Sequence, residues 1–192
     1  NTPEMMAAVR SSRVLTCQDP QSTDYVAAYA DVQIQTTQTS KSAATVAEVS
    51  AAAPGGEVLV TGKVRALDGN LLHVKTCSGF AVFALIPVDT TELKTAGRLT
   101  LFHLTNTQAT DMRFGNASLD RLESWGKTPF LAKHGTASLS LDLPGNWKIH
   151  ALDTAGNRIG EVTTLKTEHG FRVELDNFRF KGVVFAYELV KE

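Results

Sequence analysis

From Glu57 to its end the chain is built of short runs in which apolar and polar residues alternate, separated by turn residues. Successive side chains of a strand point to opposite faces, so such a run buries one face only against a second layer. ASLSLDL (Ala137–Leu143) is the clearest case. Leu139, Leu141 and Leu143 share one phase, and Ser138, Ser140 and Asp142 share the other. EVLVTGKVRAL (Glu57–Leu67) and LLHVKT (Leu71–Thr76) flank Asp68-Gly69-Asn70, a turn whose glycine can supply a positive φ. FAVFALIPV (Phe80–Val88) is apolar on both phases, as a central strand is. RLTLFHLT, WKIHALD, RIGEVTTLK, GFRVELDNF and VVFAYELV continue the series. This spacing predicts an antiparallel β-sandwich over residues 55–192. The polar cluster Asp153, Asn157, Arg158 and Glu161 reads as a hairpin, with Asp153 capping the turn and Arg158 pairing at its edge.

Residues 1–54 have another texture. Thr2 and Pro3 open an expected helix over Pro3–Ser12, Arg13–Cys17 reads as extended, and Asp31–Thr39 as strand-like. Ser40–Ala53, stopped by Pro54-Gly55-Gly56, has the strongest helical pattern in the chain. The region is expected to be small, mixed α/β and dependent on a neighbour for its core. The whole is therefore expected to be mainly β, with a small N-terminal α/β region. One stretch departs from the strand pattern. Asn106–His134 is a long excursion with a short helical piece expected around SLDRLESWG, and excursions of this length are usually functional or interface-forming.

The chain has 192 residues and a formal net charge of −1, so electrostatics favours neither nucleic acid nor an anionic membrane as partner. Its apolar runs are too short to span a bilayer. The start at Asn1, without Met or a signal-like segment, fits a processed protein or a fragment. Cys17 and Cys77 suit core or unpaired thiols better than a disulfide, and leave the compartment open.

No catalytic motif stands out. The histidines at 73, 103, 134, 150 and 169 share no metal-ligand spacing, and neither GxSxG nor HExxH occurs. PGGE precedes a strand and lacks the geometry of a phosphate cradle. The acidic residues fall at turns or on polar phases, with Glu174, Asp176 and Glu188 read as outward, the distribution of a solvated face. No catalytic, cofactor-binding or metal-binding residue is assigned. Aromatic rings stack on sugar faces, so the two tryptophans need a reading. Trp147 shares its phase with Ile149 and reads as core; Trp125 reads as packed under its own loop or against a neighbouring domain. Trp125, Phe130 and His134 are the candidate contacts for carbohydrate or for a domain interface.

Several of these segments, taken in order, resemble one family. GNLLHVKTCSGFAVFALI (Gly69–Ile86), RLTLFHLTNTQATDMRF (Arg98–Phe114), WGKTPFLAKHGTASLSLDL (Trp125–Leu143), ALDTAGNRIGEV and the closing FAYELV are similar to the C-terminal accessory β-sandwich domains of bacterial (β/α)8-barrel glycoside hydrolases. The chain departs at Ala109-Thr110-Asp111, where the family pattern has Asn-Thr-Gly. The resemblance implies a non-catalytic region of a polysaccharide-degrading enzyme, secreted or periplasmic, whose partners are the parent's catalytic domain and polysaccharide. The catalytic acids would lie in a barrel that a chain of this length does not contain. An independent carbohydrate-binding module, a surface adhesion domain and a self-contained hydrolase are the rival expectations.

Overall fold

In a computed structural model, residues 24–29, 32–39, 46–62, 66–117 and 121–192 are described. Among them the chain forms strands and no helix. In chain order the strands are β1 (Asp24–Tyr29), β2 (Val32–Thr39), β3 (Val46–Ala53), β4 (Gly56–Thr61), β5 (Leu67–Asp68), β6 (Leu72–Cys77) and β7 (Ala81–Pro87). Then follow β8 (Arg98–Leu104), β9 (Thr107–Thr110), β10 (Arg113–Phe114), β11 (Leu122–Ser124) and β12 (Lys127–Ala132). The last are β13 (Thr136–Leu141), β14 (Trp147–Leu152), β15 (Arg158–Val162), β16 (Thr164–Lys166), β17 (Phe171–Asp176) and β18 (Ala186–Lys191).

Two antiparallel sheets make the body, as the alternating runs require. The larger has the order β1-β2-β3-β4-β7-β8-β18-β14-β15 and the smaller β16-β17-β13-β6-β5. One phase of each strand enters a common core. Leu59, Phe83, Leu85, Leu99, Leu101, Ile149 and Leu189 come from the large sheet, and Leu72, Val74, Leu139, Leu141 and Val173 from the small one. Burying a side chain of this size contributes about 2 kcal/mol. Trp147 belongs to this core, its indole Nε1 donating to the Pro144 carbonyl at 3.3 Å.

The expected helix over Ser40–Ala53 is corrected from Val46 onward, where the chain is β3, hydrogen-bonded to β2 on one side and β4 on the other. Alanine favours helices in isolation, but here ladders pair Val46–Ala52 with β2 and Val49–Ala53 with β4, and that outweighs intrinsic propensity. Residues 40–45 lie outside the described residues, as do the expected helix at Pro3–Ser12 and the extended Arg13–Cys17. The expected helical piece around SLDRLESWG is likewise replaced, over Leu122–Ser124, by β11.

One buried charge ties the sheets together. Glu57 lies on the inner phase of β4, and its carboxylate accepts the Leu71 N–H at 2.9 Å and the Leu72 N–H at 2.9 Å from the β5–β6 turn. Gly69 is in this turn for space: a Cβ there would sit 2.7 Å from Glu57 Oε2 and 2.8 Å from the Leu72 carbonyl. Its φ lies outside the left-handed region, so close approach is the reason for glycine. Glu57→Ala strands two backbone donors in the core and is expected to cost about 2–4 kcal/mol, with Glu57→Gln costing less. Urea unfolding of the two variants measures the difference; a Glu57→Ala chain as stable as the parent would refute this role.

Candidate functional site

The excursion begins where β8 ends and forms two small hairpins. β12 pairs with β9, and β10 with β11. At the turn into β12, Gly126 has φ +70°, and a Cβ would lie 2.3 Å from the Thr110 carbonyl. This tight crossing leaves Trp125 78% exposed, with Phe130 at 74% and Leu131 at 53%. The expectation that Trp125 packs under its own loop is therefore overturned: the loop folds back on its own backbone there and leaves the indole outside.

His134 sits at the base of this hairpin, four residues along the chain from Phe130, which in an extended strand is about 13 Å. It does not join Trp125 and Phe130 in one cluster. Its Nε2 is 3.0 Å from Asp176 Oδ1, and its ring meets Phe178 edge-on at 5.6 Å. Asp176 also accepts the Phe178 N–H at 2.8 Å; that bond, then His134, holds its carboxyl below the usual range. Buried Asn177 fastens the excursion's base, accepting from Gly135 N at 2.9 Å and donating to the Lys133 carbonyl at 3.0 Å.

Beneath lies His103, 1% exposed and stacked on Phe83 with centroids 4.9 Å apart. Burial lowers its pKa from 6.5 to about 4, with Asp176 acting weakly the other way. Among the described residues neither ring nitrogen has a protein hydrogen-bond partner, nor does the buried Tyr187 hydroxyl, whose pKa burial pushes up. A cavity of about 10 Å³ beside His103, lined also by Cys77 and His134, has room for about one water. Cys77 directs its thiol to the Gly79 carbonyl at 3.1 Å.

Several carboxylates are engaged by neighbouring groups. Glu188 does lie on an outward phase, yet it is 3% exposed, so its reading as part of a solvated face is corrected. Arg98 and Arg158 close over it, each donating from Nε, the latter at 2.6 Å. Burial works to raise its carboxyl, and the two guanidiniums outweigh that, leaving it lowered. Asp153 accepts from Ala155 N at 2.9 Å and Asn157 N at 2.8 Å, so the polar cluster around Gly156 is the expected hairpin turn. Arg158 pairs not at the edge of its own turn but across β14, with Glu188 of β18. His73 is half-buried between Asp68 and Asp142, at 3.0 and 3.3 Å. No set of three His, Cys, Asp or Glu that could hold a metal ion occurs among the described residues.

The outward faces of the two sheets differ, a feature missed in the sequence. On the small sheet that face carries His73, Ser138, Ser140, Arg172 and Glu174, laced by the Ser138–Glu174 bond at 2.8 Å. On the large sheet the register aligns Ala51, Val58, Ala84, Phe102, Ala186 and Leu152 in one row across six strands. A second row is Val49, Val60, Val82 and Leu104. Ile86, Val58 and Leu104 are exposed. The signal was present: AVFALIP is apolar on both phases and GEVLVT has Val58 and Val60 on its outward phase, where TASLSL has serines.

Compared with family models, curated proteins and solved structures, the chain matches none. No helix among the described residues is long and apolar enough to cross a membrane.

His103 makes stability depend on pH. Its folded pKa lies below the unfolded value of 6.5, so the unfolded chain binds the extra proton first as pH falls. Its contribution is complete above pH 6.5 and is lost as pH falls from there through about 4, by up to about 3 kcal/mol. His103→Phe, which keeps a ring on Phe83, is expected to flatten this slope in urea titrations, leaving the loss at lower pH to Asp176 and Glu188. An unchanged slope would show that another group sets it.

Proposed function

We propose that this chain is a non-catalytic accessory β-sandwich of a bacterial polysaccharide-degrading glycoside hydrolase, packing on the catalytic domain and contacting carbohydrate. The observation that carries the first part is the apolar outward face of the large sheet. An antiparallel sheet that faces only water alternates apolar-in and polar-out, as the small sheet does. The apolar rows across β3, β4, β7 and β8, which Arg98 borders at the start of β8, instead suit a further protein layer. The segment resemblance names that layer as the barrel of a secreted or periplasmic enzyme. A second reading, an independent carbohydrate-binding module, draws on the exposed Trp125 and Phe130, since aromatic rings free of protein contact are what stacking on a sugar requires.

The two readings part in one experiment. The coding sequence on either side of this chain is read, and any (β/α)8 barrel found there is produced separately and mixed with the chain. The expected result is a one-to-one complex whose barrel melts at a higher temperature than the barrel alone. Ile86→Lys with Leu104→Lys, both at exposed positions, is expected to abolish the complex while leaving the chain's own melting nearly unchanged. Absence of a barrel, or failure of the two to associate, sinks the accessory-domain reading.

A further inference from the structure

At one end of the apolar face, where β14 turns into β15, the surface folds into a groove of about 390 Å³. Phe102, Leu152, Phe185 and Ala186 form its apolar part, and Asp153 and Thr154 of the hairpin turn wall it. The groove is within the size range of small-molecule sites. It borders the Arg98–Glu188–Arg158 cluster: Thr100, in its lining, pairs in register with Glu188, and Leu152 pairs with Arg158. Each guanidinium gives its Nε to Glu188, and among the described residues the Nη groups have no protein partner. Among the described residues that line the groove, Asp153 alone carries a formal charge.

We infer that this groove is a binding site for a neutral pyranose sugar. The chemistry fits that class in three ways. Phe102 and Phe185 supply apolar aromatic surface for the C–H face of a ring. The Thr100 and Thr154 hydroxyls supply hydrogen-bonding groups in the lining, suited to sugar hydroxyls. The acidic wall at Asp153 disfavours an anionic ligand relative to an uncharged one. Asp153 is engaged by three N–H donors of its own turn, which fixes the wall. The groove also continues the apolar face assigned above to a neighbouring domain, and ligand sites favour such borders. This inference rests on the carbohydrate part of the proposed function and gives it a place distinct from Trp125 and Phe130.

The test is a nitrogen–proton NMR titration of the whole chain with cello-, xylo-, manno- and galacto-oligosaccharides, and with oligogalacturonate as the charged comparison. The expected result is saturable shifts at the amides of Thr100, Leu152, Thr154 and Ala186 with a neutral series. Phe102→Ala is expected to weaken that binding about tenfold, the worth of one aromatic contact. Thr154→Trp, at an exposed turn position that leaves the core intact, is expected to block it. Shifts confined to the Trp125 indole and Phe130 would overturn the groove and leave carbohydrate contact standing elsewhere. Preference for oligogalacturonate would overturn the neutral-sugar assignment. No shift with any sugar would overturn both, while the barrel-mixing experiment would still decide the packing role.

Discussion

The fold depends on the interlock between two sheets whose inward phases share one core. Because a strand's side chains have period two, a register slip of one residue would bring Leu139 and Leu141 out and Ser138 and Ser140 in. The pairing of β13 with both β6 and β17 is thereby fixed by burial. Glu57 adds a directional element to this non-directional force. Its carboxylate reaches from the large sheet to the backbone of the small sheet's edge turn, which sets where the two layers meet. A charge inside a core is tolerated when its lone pairs are filled, and here backbone donors fill them.

The same arithmetic of filled and unfilled partners separates the polar groups. Asn177, fully buried, is satisfied by Gly135 and Lys133 and anchors the excursion rigidly at its base. His103, one step deeper, stacks on Phe83 without a protein hydrogen bond among the described residues, and burial, which disfavours its charged form, keeps it neutral at physiological pH. Glu188 is opposite in kind: desolvated, yet kept ionised by two guanidiniums that reach it from different strands, β8 and β15. Arg158 must cross β14 to do so, which braces the outer end of the large sheet and fixes the wall of the groove beside it.

Much of this architecture was legible in the sequence. Strict alternation in TASLSL and FRVELD announced half-buried strands, and Asp153 with Gly156 announced the hairpin they form. Two things were harder to read. The alanine-rich segment before Pro54 is helical by composition, and only the ladders to β2 and β4, contacts between residues distant in sequence, make it a strand. The apolar outward face was hidden for a related reason. FAVFALIPV reads as a central strand either way, and a central strand can be covered by its own chain or by something else. Only alignment of Val58, Ala84 and Phe102 across the sheet shows that they share one face, on which Val58, Ile86 and Leu104 are exposed. Trp125 illustrates a third case, where a glycine crossing at Gly126, invisible to periodicity, decides which way the loop folds.

The open face and the groove constrain each other. Val58, Val60, Val82 and Ala84 form a surface with no charge to orient a partner, so shape and apolar area must do that work. Toward β18, β14 and β15 the same face turns polar, with Thr100, Glu188 and His150 in one row. A flat apolar layer that ends in a polar, hydrogen-bonding rim has the anatomy of an interface core and its edge. The groove sits at that transition, where a covering domain would meet open solvent. A ligand there would touch this chain through Phe102 and Leu152 and face the covering domain on its other side, so binding and docking would reinforce each other through one shared boundary.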